Sequence, residues 1–219
     1  MVSPSSHKKV LLVCLGNICR SPMAEGLLRH LAAQRGLHIE TDSAGTGSGH
    51  IGEAPDPRAQ AEMRKHGMDI SDLRARRLVR TDLERFDLLL AMDHHNMADM
   101  LKLAPSPALA GKVRLMLDWS PGHAGGDVPD PWYGGSADFA EVFRLLEEAV
   151  GALVDELAHD IKRNPVLAAR EVGRGRRNRT SAPRQYRLGR TDRIVFLRGH
   201  AHSAPHAPPP FPGDRPGRH

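Results

Sequence analysis

Cys14 and Arg20 close a short segment, Cys14 Leu15 Gly16 Asn17 Ile18 Cys19 Arg20, with a thiol at one end and a guanidinium at the other. The apolar run Val10 Leu11 Leu12 Val13 before it reads as a buried strand. Ser21 Pro22 after it reads as a helix start, with Ser21 at the N-cap and Pro22 in the first turn. Amide groups of a tight loop between a strand end and a helix N-terminus converge on a tetrahedral oxyanion, and the helix dipole adds to their field without any metal. The same field, with a cation nearby, favours thiolate over thiol, so Cys14 is expected to be nucleophilic near neutral pH. Arg20 can hold two equatorial oxygens of a phosphoryl group in its planar fork, which lysine cannot. The chemistry indicated is attack of sulfur on phosphorus. A Cys and an Arg at this spacing carry little weight alone; the preceding strand, Gly16 and the Ser-Pro start give the pattern its meaning.

The elements that must position this loop follow from periodicity. Met23, Leu27, Leu28 and Leu31 recur at helical spacing up to Gly36, a suitable C′ residue. Leu37 to Thr41 reads as a second strand leading to Ser43, followed by a glycine-rich loop up to Pro55. Asp56 caps a helix begun by Pro57 and ended by Gly67. Asp87 to Met92 is a short strand buried on both faces, Asp93 caps the next helix, and Val113 to Leu117 is a further strand. From Ser136, Phe139, Val142, Phe143, Leu146, Val150, Leu153, Val154, Leu157 and Ile161 recur at three and four, an amphipathic helix long enough to cover a sheet. Strands alternating with helices imply a three-layer α/β fold with a parallel sheet, and such sheets bind ligands at the carboxyl ends of their strands.

The chain has 219 residues, enough for one domain with an appendage. No window approaches the roughly 18 to 20 apolar residues of a membrane span. Met1 to Lys9 is short and polar and does not read as a secretory signal, so a cytoplasmic location is expected. Both cysteines lie in the one loop, which excludes a disulfide scaffold and agrees with a reducing compartment. Cys19 is either a small residue that fits the loop or a partner that traps oxidised Cys14 as a disulfide. After residue 159 there are fourteen Lys and Arg against four acidic residues, so the +5 of the whole chain leaves −5 for the part before. Two units are therefore expected: a catalytic domain over 1–162 and a basic Pro, His and Arg-rich tail over 163–219, disordered for want of apolar surface. Tyr186, Phe196 and Phe211 are too few to stack bases, so specific nucleic-acid binding is not expected; weak electrostatic contacts of the tail with anionic partners are. His200, His202 and His206 form no recurring metal-ligand framework.

The string Val13 Cys14 Leu15 Gly16 Asn17 Ile18 Cys19 Arg20 Ser21 Pro22 Met23 Ala24 Glu25, with Asp130 Pro131 Trp132 Tyr133 Gly134 downstream, resembles the low-molecular-weight protein-tyrosine phosphatase family. The resemblance runs from about Lys8 to about His159. It implies a four-stranded, flavodoxin-like sheet and hydrolysis of phosphotyrosine on proteins, and of small aryl phosphates, through a phosphocysteine. Neither a cofactor nor a metal is implied. Cys14 and Arg20 match the family's catalytic positions, and Leu15, Gly16, Asn17, Ile18 and Cys19 its phosphate-binding loop. Asp130, which on its own reads as a turn aspartate, matches the general acid. Asn17, Ser21 and Ser43 match residues that hold the loop in shape. Trp132 and Tyr133 offer flat walls for a phenyl ring, in a pocket too deep for phosphoserine. Some family members are exported without a recognisable signal.

Two departures stand out. Gly49 replaces an aromatic carried by many relatives, which leaves one pocket wall open; Leu73 replaces a histidine before Arg74 Ala75 Arg76, which removes a partner from the supporting network. Three rival readings are weaker. A thiol-dependent arsenate reductase needs further cysteines outside the loop, and a protein-arginine phosphatase tends to carry threonine where Ile18 stands. An anion-binding or tail-mediated interaction module would need no nucleophile.

Overall fold

The computed structural model describes residues 8–163, so the expectations for the tail fall outside the described residues. Four parallel strands, β1 (Lys8–Cys14), β2 (Ile39–Gly45), β3 (Leu88–Ala91) and β4 (Val113–Leu115), lie in the order β2-β1-β3-β4. β1 is central, and its side chains alternate between two apolar layers. Val10 and Leu12 pack on one face with Met23, Leu27 and Leu28 of α1 (Arg20–Gln34) and with α6 (Ser136–Arg163). Leu11 and Val13 pack on the other with Leu83 of α3 (Arg80–Arg85) and Met100 of α4 (His94–Leu103). The expected three-layer fold is therefore found. Because β2 and β3 flank β1 on opposite sides, the chain leaves β1 at the point where strand order reverses, and a crevice opens there beyond the carboxyl end. Cys14, paired in register with Gly45, sits at that end.

The element boundaries differ from expectation for identifiable reasons. α1 begins at Arg20 with Cys19 at its N-cap, not at Ser21, because the Ser21 hydroxyl is engaged by Cys14 and Asn17 instead of a helix amide. Leu37 belongs to the end of α1, not to β2: its amide donates to Ala32 O at 2.9 Å and that of Gly36 to Ala33 O at 3.0 Å, with Gly36 at φ 65°. This paired capping takes up the last carbonyls of the helix. β4 stops at Leu115, since Met116–Trp119 winds into a 3-10 turn in which the Asp118 carboxylate accepts the Leu115 amide. α2 (Pro57–Lys65) is capped by Asp56, and α4 by Asp93, as expected. The short α3 and α5 (Pro107–Ala110) lack a strong periodic signature and were not expected from the sequence.

α6 lays Phe139, Val142, Leu146, Val150, Leu153 and Val154 against the sheet with no exposed surface, whereas Ile161 near its end is half-buried. Leu12, likewise fully buried, stands at the middle of that layer. Leu12→Ala should lower unfolding free energy by about 2–5 kcal/mol through lost burial and a residual cavity. Urea titration measures this, and a change within ~0.5 kcal/mol would contradict the packing described.

Candidate active site

The loop after β1 turns sharply at Asn17, whose φ of 57° is a left-handed conformation that asparagine tolerates better than most side chains. That turn returns the Asn17 amide to the start of the loop, where it donates to Cys14 Sγ at 3.2 Å. The Ser21 hydroxyl lies 3.1 Å from the same sulfur. Its direction is set by what lies behind it. Asn17 Oδ1 accepts the Arg76 amide at 2.9 Å, so the Asn17 Nδ2 group is the donor to both Ser21 Oγ and Ser43 Oγ, each at 2.9 Å. With its oxygen accepting from Asn17, Ser21 can send its own hydrogen to sulfur, an arrangement that stabilises negative charge there. Ser43 in turn donates to Glu25 Oε2 at 2.7 Å.

Arg20 enters from the first turn of α1 and is buried. Nη1 donates to Asp93 Oδ2 at 2.6 Å and to Val128 O at 3.1 Å, and Nη2 donates to Asp130 Oδ2 at 2.7 Å. Burial opposes this charge, yet Cys14, Asp130 and Asp93 around it more than compensate and hold the guanidinium above its ordinary range. Asp130 is fixed at its other oxygen by the Trp132 amide at 3.1 Å, with its side chain 45 % exposed. Cys14, Arg20 and Asp130 thus share one cleft of about 400 Å³.

Leu15, Gly16, Ile18 and Cys19 line that cleft, as do Trp132 and Tyr133. Asn17 does not share their position: its side chain turns under the loop and is buried among Ser21, Ser43 and Arg76. Tyr133 is 97 % exposed and forms only the rim, while Trp132 provides the wall. Gly49 is open, with nothing within 4 Å of where a Cβ would stand. Beside it His50 supplies a surface that the sequence did not reveal, its ring 5.3 Å from that of Trp132 and its Nδ1 2.8 Å from Glu53 Oε2. At Gly45 an added Cβ would meet Leu15 O at 2.7 Å, so glycine lets β2 press against the loop.

A model of the low molecular weight phosphotyrosine protein phosphatase family matches residues 9–163. The chain belongs to this family. A low molecular weight protein-tyrosine-phosphatase of Streptomyces coelicolor is 41 % identical over 158 residues, covering 70 % of this chain and 96 % of that one. The solved structure of YfkJ from Bacillus subtilis superposes with a TM-score of 0.67 at 37 % identity, covering 72 % and 99 % of the two chains. Vibrio vulnificus Wzb, solved in complex with benzylphosphonate, gives 0.61 at 28 %, covering 68 % and 98 %.

Several residues of the site are not evident from the sequence. Asp93 was expected only to cap α4. It does so with Oδ1, which accepts the Asn96 amide at 2.6 Å, and uses Oδ2 to hold Arg20. The clue available was its place immediately after β3, at the same end of the sheet as Cys14. Glu25 closes the hydrogen-bond chain at Ser43, while Leu73 is half-buried and packs on the core, contributing no polar partner. Both cysteines are free and buried.

Burial pushes the Cys19 thiol up to about 12, with the Asp56 charge adding to the effect. Iodoacetate at about pH 8 should therefore modify Cys14 alone, one equivalent per chain by mass spectrometry. Rapid labelling of Cys19 would contradict its raised thiol pKa. Burial likewise raises the Glu25 carboxyl above its usual range, opposed by the Ser43 hydrogen bond and the Arg29 charge. The folded state then holds this proton more tightly than the unfolded chain, so the contribution to stability falls as pH rises above 4.5, the ordinary value. Glu25→Gln removes that loss. Its stability relative to the parent should increase as pH rises above 4.5 in urea titrations, and a pH-independent difference would exclude the effect.

Proposed function

We propose that the chain hydrolyses phosphotyrosine on proteins, and small aryl phosphates, through a phosphocysteine on Cys14. The observation that carries this reading is the convergence on one cleft of a sulfur hydrogen-bonded by Asn17 and Ser21, the buried Arg20 guanidinium and the half-exposed Asp130 carboxyl. The Vibrio vulnificus relative binds benzylphosphonate, a phosphonate carrying an aromatic ring, which agrees with an aryl phosphate in a cleft walled by Trp132.

The loop from Leu15 to Cys19 and Arg20 hold the phosphoryl oxygens. The Cys14 thiolate attacks phosphorus, an S–P bond forms, and the P–O bond to the aryl group breaks. Asp130 delivers its proton to the departing aryl oxygen, which leaves as a neutral phenol. As a carboxylate Asp130 then takes a proton from water, whose oxygen attacks phosphorus. The S–P bond breaks, releasing inorganic phosphate and restoring the thiolate. Arg20 holds the phosphoryl charge through both steps, so no step calls on a metal. Asn17, Ser21 and Ser43 keep the loop and the sulfur in their geometry.

The catalytic unit of this reading spans residues 1–162, with phosphotyrosine proteins as its partners. A cytoplasmic site of action suits two free thiols in one loop. Among the described residues no helix is long and apolar enough to cross a membrane. The basic segment from 163 to 219 is assigned only weak electrostatic contacts.

Asp130→Asn should slow turnover of an aryl phosphate by about 100- to 10,000-fold, and an unchanged rate would reassign the proton donor. Quenched reactions should trap phosphate on Cys14 in the parent, whereas Cys14→Ser should be inactive; activity retained in that variant would refute the mechanism.

A further inference from the structure

Arg58 joins three parts of the site although it touches neither the sulfur nor Arg20. Its Nε and Nη2 grip Asp56 at 3.0 and 2.8 Å, while Nη1 donates to Trp132 O at 3.1 Å and to Gly134 O at 2.9 Å. Those two carbonyls belong to the turn that follows Asp130, itself closed by the Gly134 amide on Pro131 O at 2.9 Å. The guanidinium also lies over the Phe139 ring at 4.9 Å and the Trp132 ring at 5.8 Å. At the far side of the pair, the Asp56 amide donates to Ile18 O at 2.8 Å, within the loop that carries Cys14. One side chain therefore links the nucleophile's loop to the segment that carries the acid.

We infer that Arg58 is a positioning residue for general-acid catalysis, holding the turn that aims Asp130 into the cleft. The inference rests on the phosphatase reading given above. Asp130 sits between two anchors. Upstream, the Val128 amide donates to Met92 O at 2.8 Å and Val128 O accepts from Arg20. Downstream, Arg58 fastens Trp132 and Gly134, and the Trp132 amide in turn fixes Asp130 Oδ1 at 3.1 Å. Without the downstream anchor, the Trp132 amide no longer has a fixed position from which to orient the carboxyl. The upstream anchor and the Cys14 loop's own bonds to Asn17, Ser21 and Ser43 do not involve Arg58. Loss of Arg58 should thus damage proton delivery and spare the nucleophile.

Lysine is not an equivalent. A planar fork can engage the Asp56 carboxylate with one edge and two carbonyls with the remaining nitrogen while stacking between rings; an ammonium group cannot do all of this at once. Arg58 is also 39 % exposed at its side chain, so its replacement by methionine leaves a stem of similar length over Phe139, while the buried Asp56 carboxylate keeps the backbone amide of residue 58 as a donor at 2.8 Å.

The test compares kcat/KM for a series of aryl phosphates, from 4-nitrophenyl to phenyl, in the full chain, Arg58→Met and Arg58→Lys, alongside iodoacetate alkylation of Cys14. A poor leaving group depends more on the proton from Asp130. Arg58→Met should lose about tenfold more rate on phenyl phosphate than on 4-nitrophenyl phosphate, with the alkylation rate of Cys14 unchanged. Arg58→Lys should fall between the two. In an Asp130→Asn background, Arg58→Met should add little. An equal loss on all esters, no loss, or a parallel fall in alkylation would overturn the inference while leaving the phosphatase reading intact. Absence of hydrolysis by the unaltered chain would overturn both.

Discussion

Both N–H groups of the Asn17 carboxamide go to serine hydroxyls, and each hydroxyl must then send its own hydrogen elsewhere. From Ser43 it goes to Glu25; from Ser21 the direction left is toward Cys14 Sγ. The amide cannot turn over without losing its acceptor contact with Arg76, so the polarity of the whole chain of bonds is fixed. All other features of the cleft assume a sulfur surrounded by donors. The left-handed backbone at Asn17, the close approach allowed by Gly45 and the burial of Glu25 are costs accepted to maintain this arrangement.

Arg20 is held by two carboxylates of unequal standing. The Asp93 side chain is 15 % exposed and also caps α4, so breaking its pair would leave a buried cation with only the half-exposed Asp130 and Val128 O as partners. The Asp130 side chain is 45 % exposed, so solvent screens that pair more than the one with Asp93. Asp93 therefore sets where the guanidinium lies, and the bond to Asp130 is the more easily exchanged of the two. The segment that carries Asp130 consequently needs other means of support, which the contacts of Val128 and of Trp132 and Gly134 supply.

The long elements were legible because burial imposes their periods. β1 is apolar at successive positions since both its faces are covered, and α6 shows a repeat of three and four since only one of its faces meets the sheet. Boundaries were less legible where a side chain had two uses. Ser21 satisfies the composition of an N-cap but serves the sulfur, and Leu37 satisfies the pattern of a strand but completes the end of α1. α3 and α5 are four to six residues long, too short for a period to emerge.

The sequence by itself determined the pairing of the Cys14 thiol with the Arg20 guanidinium across one loop and the alternating α/β plan, because these depend on neighbours within a few residues and on periodic burial. Through its resemblance to a family it also singled out Asp130. Only the tertiary structure decided that Asp93 holds Arg20, that Glu25 closes the network at Ser43, and that Arg58 fastens the turn after Asp130. Those contacts join residues separated by 73, 18 and up to 76 positions. Separations of that kind leave no local pattern, since a hydrogen bond across the fold constrains each partner's chemistry but not its place in the chain.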